Sequence, residues 1–337
     1  MTTINNDRDL TVSFCRVLAM MMVVAAHYTN LFEQISIFGF DLNSNILSEF
    51  FSIGVYIFFF ISGYLYGNKK IVDKKIWIKK RVLRIFIPLY IYLFLDYTIF
   101  GNQIQIKSLL LQLVNMQGVY QILPLLKHVP GPWFFSVIMI DYLLLLIVDK
   151  HFRIEETNIS KHHILLLLLL FVCSVCGINI SGIYVFFCGY LYAKNRKNTL
   201  LKIKNKNFYF LIVFIFAIII RLISIKVLSQ ENIYTLFVVP ISTLLIVISI
   251  LETVDLLIKD NARLKELISS NIFSIVDSVS IYVYLFHEKL FILANTSNVI
   301  LSIISYFVVL LSTVLFSYLL YKIGNYIECK ISKLIGT

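Results

Sequence analysis

The sequence predicts an all-α fold: a polytopic membrane helix bundle of about ten transmembrane helices, with the N- and C-termini cytoplasmic. Three observations predict it. The 337 residues are 59% hydrophobic and only 15% charged, whereas a soluble domain carries about 25% charged residues. The apolar mass falls into runs long enough to span a bilayer. And 24 of the 30 Lys and Arg residues fall on one side of an alternating assignment of the loops, only Lys107 and Lys127 on the other, with Arg16, Arg221, Lys226 and Lys289 inside spans. That asymmetry is the positive-inside signature. It also accounts for the net charge of +11 by topology rather than by nucleic-acid binding.

In order, the expected spans lie at about 11–32, 46–67, 82–100, 131–149, 163–179, 181–193, 208–228, 233–251, 279–295 and 298–321. The polar N-terminus has no cleavage-type site after the first run, so that run is expected to be an uncleaved span. A single domain over 1–337 is expected. The five cysteines (Cys15, Cys173, Cys176, Cys188 and Cys329) imply no disulfide framework, and Cys173-x-x-Cys176 reads as small packing residues. Segment 101–130 is apolar but too short and polar to span. It is expected to lie on the membrane or to cap the bundle.

The first span carries two ionisable groups, Arg16 and His27, and such groups inside a span need a reason. Eleven residues at ~100° each make three turns plus about 20°, so both lie on one stripe, roughly 16 Å apart along the axis. The plain reading of His27 is an interhelical hydrogen bond; the functional one is a group that gains or loses a proton near pH 7. Three carboxylates can orient it: Glu49 at the start of the second span, Asp96 near the end of the third, and Asp141 within the fourth. The residues alone do not choose among them.

Arg81 and Arg84, three apart, share a helix face at what reads as the mouth of the third span. The plain reading is a topology anchor touching anionic lipid. The functional one is a phosphate site, in which guanidinium forks are helped by the helix N-terminus. The fourth span opens with His128, two prolines and Gly131 ahead of Trp133, which by itself reads as an interfacial belt residue. In the ninth span Ser280 and His287 are within about 20° of two full turns, with Tyr284 on the same side. Arg221 is a further intramembrane cation, available to pair with a carboxylate. No metal-ligand cluster is visible in the sequence.

These pieces resemble, in order and spacing, the acyltransferase-3 family of bacterial membrane acyltransferases. Arg16-x10-His27 is similar to that family's arginine-to-histidine motif, and Phe58–Gly63 (FFFISG) to its FF-x-x-SG element. Arg81-x-x-Arg84 with Pro88 is similar to its R-x-x-R element, Gly131–Ser136 (GPWFFS) to its Trp-centred start of a span, and Ser280–His287 to its late serine–tyrosine–histidine stretch. The resemblance covers about residues 10 to 320. Some members carry an extra C-terminal hydrolase-like domain, and none is expected here.

The resemblance implies transfer of an acyl group, most often acetyl, from acyl-CoA to a hydroxyl of a surface polysaccharide or lipid-linked glycan, at the cell (inner/cytoplasmic) membrane. It implies His27 as the catalytic base and the arginines Arg16, Arg81 and Arg84 as donor-binding groups. His287, Ser280 and Tyr284 are candidates for stabilising the oxyanion. Acetyl-CoA is the expected donor substrate, the bilayer and a glycan acceptor the expected partners; no metal and no nucleic acid are expected. The alternatives are a transporter or flippase for a lipid-linked sugar, suited to intramembrane Arg, His and Asp, and a sensor or scaffold that merely keeps the fold.

Overall fold

A computed structural model describes residues 9–32, 34–37, 40–67, 69, 71–101, 105–122, 131–151, 181–201, 206–227, 233–294 and 299–335. The expected fifth span, with Cys173 and Cys176, and also Lys127 and His128, lie outside them.

The chain opens with α1 (Leu10–Thr29), started by the Asp9 carboxylate, which accepts from the N–H of Val12. Capping of an otherwise orphaned helix donor sets this start. A two-stranded antiparallel hairpin follows, β1 (Gln34–Ile37) and β2 (Phe40–Asn43), with Ile35 opposite Leu42. The expected first external loop therefore has order of its own, and this hairpin is the one departure from helix among the described elements. The second expected span is broken into α2 (Ser44–Phe51) and α3 (Ile53–Gly67). At the break the Ser52 hydroxyl donates to the Glu49 carbonyl at 2.6 Å, a side-chain bond of the kind that competes with helix propagation.

The basic segment before the third span is itself helical. α4 runs Lys74–Thr98, capped by Asp73, whose carboxylate accepts from the N–H of Ile76 at 2.9 Å. Arg81 and Arg84 consequently lie about two turns inside α4 and not at its mouth, so the helix dipole contributes nothing to them. Two short helices, α5 (Ile106–Leu113) and α6 (Val119–Ile122), follow. They cap α7 (Trp133–His151): the Asn115 amide donates to the Phe135 carbonyl at 3.0 Å, and the Gly118 N–H to the Ser136 hydroxyl at 2.9 Å. The expectation of a cap over the bundle holds there.

The remaining helices are α8 (Ser181–Leu201), α9 (Lys206–Val227), α10 (Ile233–Asp260), α11 (Ala262–Ser269), α12 (Asn271–Phe286), a 3-10 helix (His287–Leu293) and α13 (Val299–Ile335). By length and apolar composition four described stretches suffice to cross a membrane: Leu10–Thr29, Ser44–Gly67, Val238–Asp260 and Leu301–Leu334. α11 and, bent from it by 58° at Ser270, α12 with the 3-10 helix (Asn271–Leu293) make a fifth when counted as one span. The chain is a multi-pass membrane bundle.

Its packing is densest where α3 meets α8, around buried Phe59, Phe60, Phe186 and Phe187. Without a hydrophobic drive between helices in lipid, close association needs small residues at the contact. Gly63 supplies one side and Gly189 the other. A Cβ on Gly63 would fall on the Phe186 carbonyl oxygen, and one on Gly189 on that of Phe60. Because the obstacle is backbone, it cannot swing away. Replacing Gly63 with Val is expected to cost at least about 1–3 kcal/mol through overpacking, read as a lower melting temperature of the detergent-solubilised protein. Leu315→Val on the outward face of α13 should leave that temperature where it is. An unshifted melt for Gly63→Val would contradict the close approach.

Candidate active site

Two polar clasps join α1 to α12 and the 3-10 helix after it. At one end Arg16 Nη1 donates to Asp277 Oδ1 at 2.6 Å, with side chains 23% and 9% exposed. At the other, His27 Nδ1 lies 2.7 Å from Glu288 Oε1. Each clasp is eleven residues from the other along both chains, so the two segments run parallel in fixed register. The eleven-residue stripe expected on α1 thus has a matching stripe opposite it.

The His27 end is a cluster. α12 tightens into the 3-10 helix at His287, whose ring stands edge-on to that of His27, centroids 5.0 Å apart. His287 Nδ1 lies 2.8 Å from the Tyr284 carbonyl oxygen and 3.1 Å from that of Val283. Carbonyls only accept, so Nδ1 carries the proton and Nε2 is the lone-pair nitrogen. That Nε2 is buried and has no hydrogen-bond partner among the described residues.

The Arg16 end opens into a cavity of about 560 Å³, within the range of small-molecule sites. Arg16, Arg81 and Arg84 all line it, as do Asp277, Ser280 and Tyr284. Arg81 is held among aromatic rings, its guanidinium carbon 5.3 Å from the centroid of Tyr66, 5.6 Å from Trp77 and 5.8 Å from Tyr142. Cation–π contact of this kind orients the group. Its Nε is buried without a partner among the described residues. Arg84 is exposed, at the cavity's rim. Farther in, Tyr284 and Phe134 meet with ring centroids 5.3 Å apart. Neither His27 nor His287 lines the cavity, but Tyr284 also touches the His287 ring, at 6.2 Å. An aromatic wall therefore separates the cationic cavity from the histidine pair.

The expected orienting carboxylates go elsewhere. Glu49 sits 3.5 Å from Arg221 on α9. Asp96 pairs with Lys289. Asp141 is fully buried, and neither of its oxygens has a hydrogen-bond partner among the described residues. Glu288 orients His27 instead. Trp133 packs on Phe59, centroids 6.4 Å apart, and lines neither the cavity nor the histidine cluster. Two carboxylates were missed in the sequence, Asp277 and Glu288. The signal was there: they are spaced eleven apart, as Arg16 and His27 are, and Glu288 adjoins His287. A third polar group, Arg196 with Glu252 and Asp255 at 2.6 Å each and Tyr64 at 2.9 Å, ties α8, α10 and α3 together.

A family model described as an acyltransferase domain matches residues 10–322. The chain belongs to that family, the acyltransferase-3 family, and is a membrane acyltransferase. No curated protein and no solved structure matches it.

The Arg16–Asp277 clasp is charge-assisted and largely withdrawn from solvent, so a double-mutant cycle with Arg16→Met and Asp277→Asn should return a coupling of roughly 1.5–3 kcal/mol. Unfolding in mixed micelles measures it; coupling near zero would show that the register does not depend on the pair.

Proposed function

We propose, from that family membership and this geometry, that the chain moves an acyl group, acetyl in the simplest case, from cytoplasmic acyl-CoA to a hydroxyl of a surface polysaccharide or lipid-linked glycan. The reading includes ten spans with both termini cytoplasmic, in the cell's inner membrane. One observation carries it: three arginines from two helices line one cavity, which closes on an aromatic wall adjoining a histidine pair.

Coenzyme A is polyanionic at one end and bears its thioester at the tip of a long arm. Arg16, Arg81 and Arg84 suit its phosphates, since guanidinium forks match phosphate oxygens. The arm runs along the cavity past Ser280, and the thioester reaches His27 once the Tyr284–Phe134 contact parts. His27 Nδ1–H donates to Glu288, which fixes the tautomer and leaves Nε2 as the basic nitrogen. Nε2 takes the proton of the acceptor hydroxyl while the hydroxyl oxygen attacks the thioester carbonyl. The tetrahedral intermediate then collapses, the C–S bond breaks, and the imidazolium returns the proton to the departing thiolate. An alternative order, in which His27 itself is acylated first, uses the same groups. The partly buried Tyr284 hydroxyl and the buried Ser280 hydroxyl supply donors for the oxyanion.

Two outcomes test this. His27→Ala should lower acyl ester on the host's surface glycan by the 10²–10⁴-fold typical of a lost general base, about the whole signal; ester at the wild-type level with protein present would remove His27 from catalysis. Acetyl-CoA should raise the melting temperature of the wild type but not of the Arg81→Ala, Arg84→Ala double variant. No stabilisation of the wild type would favour a transporter or scaffold, and an undiminished effect in the variant would leave the arginines as topology anchors.

A further inference from the structure

Three metal-ligating groups converge where α1 meets the 3-10 helix. The imidazoles of His27 and His287 and the carboxylate of Glu288 bring their ligand atoms within 4.8 Å of one another. The sequence expectation of no metal rested on finding no ligand cluster, and this cluster exists only in the folded chain, because His27 comes from the first helix and its companions from the last third.

Two features set the trio apart from a chance grouping. The bonds from His287 Nδ1–H to the Tyr284 and Val283 carbonyls point the Nε2 lone pair at a fixed angle. Metal-binding histidines are oriented in this way, by a backbone carbonyl on the other ring nitrogen. And Nε2 is buried with no partner among the described residues, a costly state that a ligand relieves. The side chains of His27 and Glu288 are 43% and 56% exposed, so an ion has a way in and room for a water ligand. Two imidazoles, one carboxylate and one open position make a familiar zinc donor set. At bond lengths of ~2.0–2.1 Å, tetrahedral ligand atoms stand roughly 3.3 Å apart. His27 and Glu288, now 2.7 Å apart, have to part by about 0.6 Å, and the wider pairs, up to 4.8 Å apart, have to close by up to about 1.5 Å, exchanging a shared proton for a shared ion.

We propose that His27, His287 and Glu288 form a binding site for Zn²⁺ or a similar borderline divalent cation, and that the ion competes with acyl transfer for His27. Imidazole and carboxylate together favour such ions over Mg²⁺ or Ca²⁺. Occupancy displaces the proton between His27 and Glu288 and occupies the imidazole that abstracts the acceptor's proton, so free zinc on that side of the membrane slows the enzyme. The competition rests on His27 being the base; the ion site does not.

The test uses the full-length protein in lipid nanodiscs, stripped with a chelator and dialysed against ZnCl₂, with bound metal counted by atomic emission. One Zn²⁺ per chain is expected, raising the melting temperature. His287→Ala and Glu288→Gln should both lose the ion at the concentration that saturates the wild type. Glu288 is exposed, so its variant keeps the test interpretable when His287→Ala fails to fold. No binding by the wild type, or equal binding by Glu288→Gln, overturns the site. Zinc should also suppress acyl transfer, and a chelator should restore it; transfer unchanged or faster with metal bound overturns the competition. Stabilisation of the metal-free protein by acetyl-CoA is read in parallel. Its absence counts against the acyltransferase reading alone, whereas absent zinc binding counts against the ion site alone.

Discussion

The register between α1 and α12 is the constraint on which the site depends. Ionisable groups inside a bundle are tolerated when they meet partners, and here each end of the pair is closed by one: Arg16 on Asp277, His27 on Glu288. A slip of one residue would break both clasps at once and turn the polar stripes away from each other. The same register sets the depth of the cavity relative to the histidines. The guanidinium of Arg16 opens it, Ser280 and Tyr284 line it one and two turns farther along α12, and His287 follows in the next turn. The apolar mass of α3, α7 and α8 encloses this polar seam, and the glycine contacts between α3 and α8 hold that enclosure tight.

Much of this was legible in the sequence, for identifiable reasons. Hydropathy runs and loop charge point to a multi-pass bundle because the bilayer imposes length and composition directly on the chain. The helical period alone places Arg16 with His27 and Ser280 with His287. Five short motifs in order point to the family, and the match over 10–322 bears that out. The fold then brings Arg16, Arg81 and Arg84 into one cavity, although they come from two separate helices.

What was not legible depends on tertiary contact or on local capping. The eleven-residue spacing of Asp277 and Glu288 matches that of Arg16 and His27, but it selects Glu288 over Glu49, Asp96 or Asp141 as the partner of His27 only once it is known which helix lies alongside. Glu49 and Asp96 are satisfied by Arg221 and Lys289 instead. The start of α4 was misjudged because the basic run looked like a loop. Asp73 caps it nine residues before the expected start of the third span at residue 82, and the helix simply continues through the lysines. Arg81 gains its setting from the side, through Tyr66, Trp77 and Tyr142, and not from a helix terminus. The break at Ser52 and the hairpin at 34–43 were hidden for a related reason: hydropathy reports how apolar a run is, not where its backbone turns.

The proposed mechanism puts the donor at the arginine end and the chemistry at the histidine end of one seam. Sealed inside-out membrane vesicles containing the protein test that arrangement most directly. Acetyl-CoA carrying an isotopic acetyl group is added outside, facing what was the cytoplasm, and glycan esters are analysed by mass spectrometry. Labelled ester that depends on the protein, formed without acetyl-CoA entering the vesicle, is the predicted result. Label that appears only when acetyl-CoA is supplied to the opposite face, or no label with the protein intact, would contradict it.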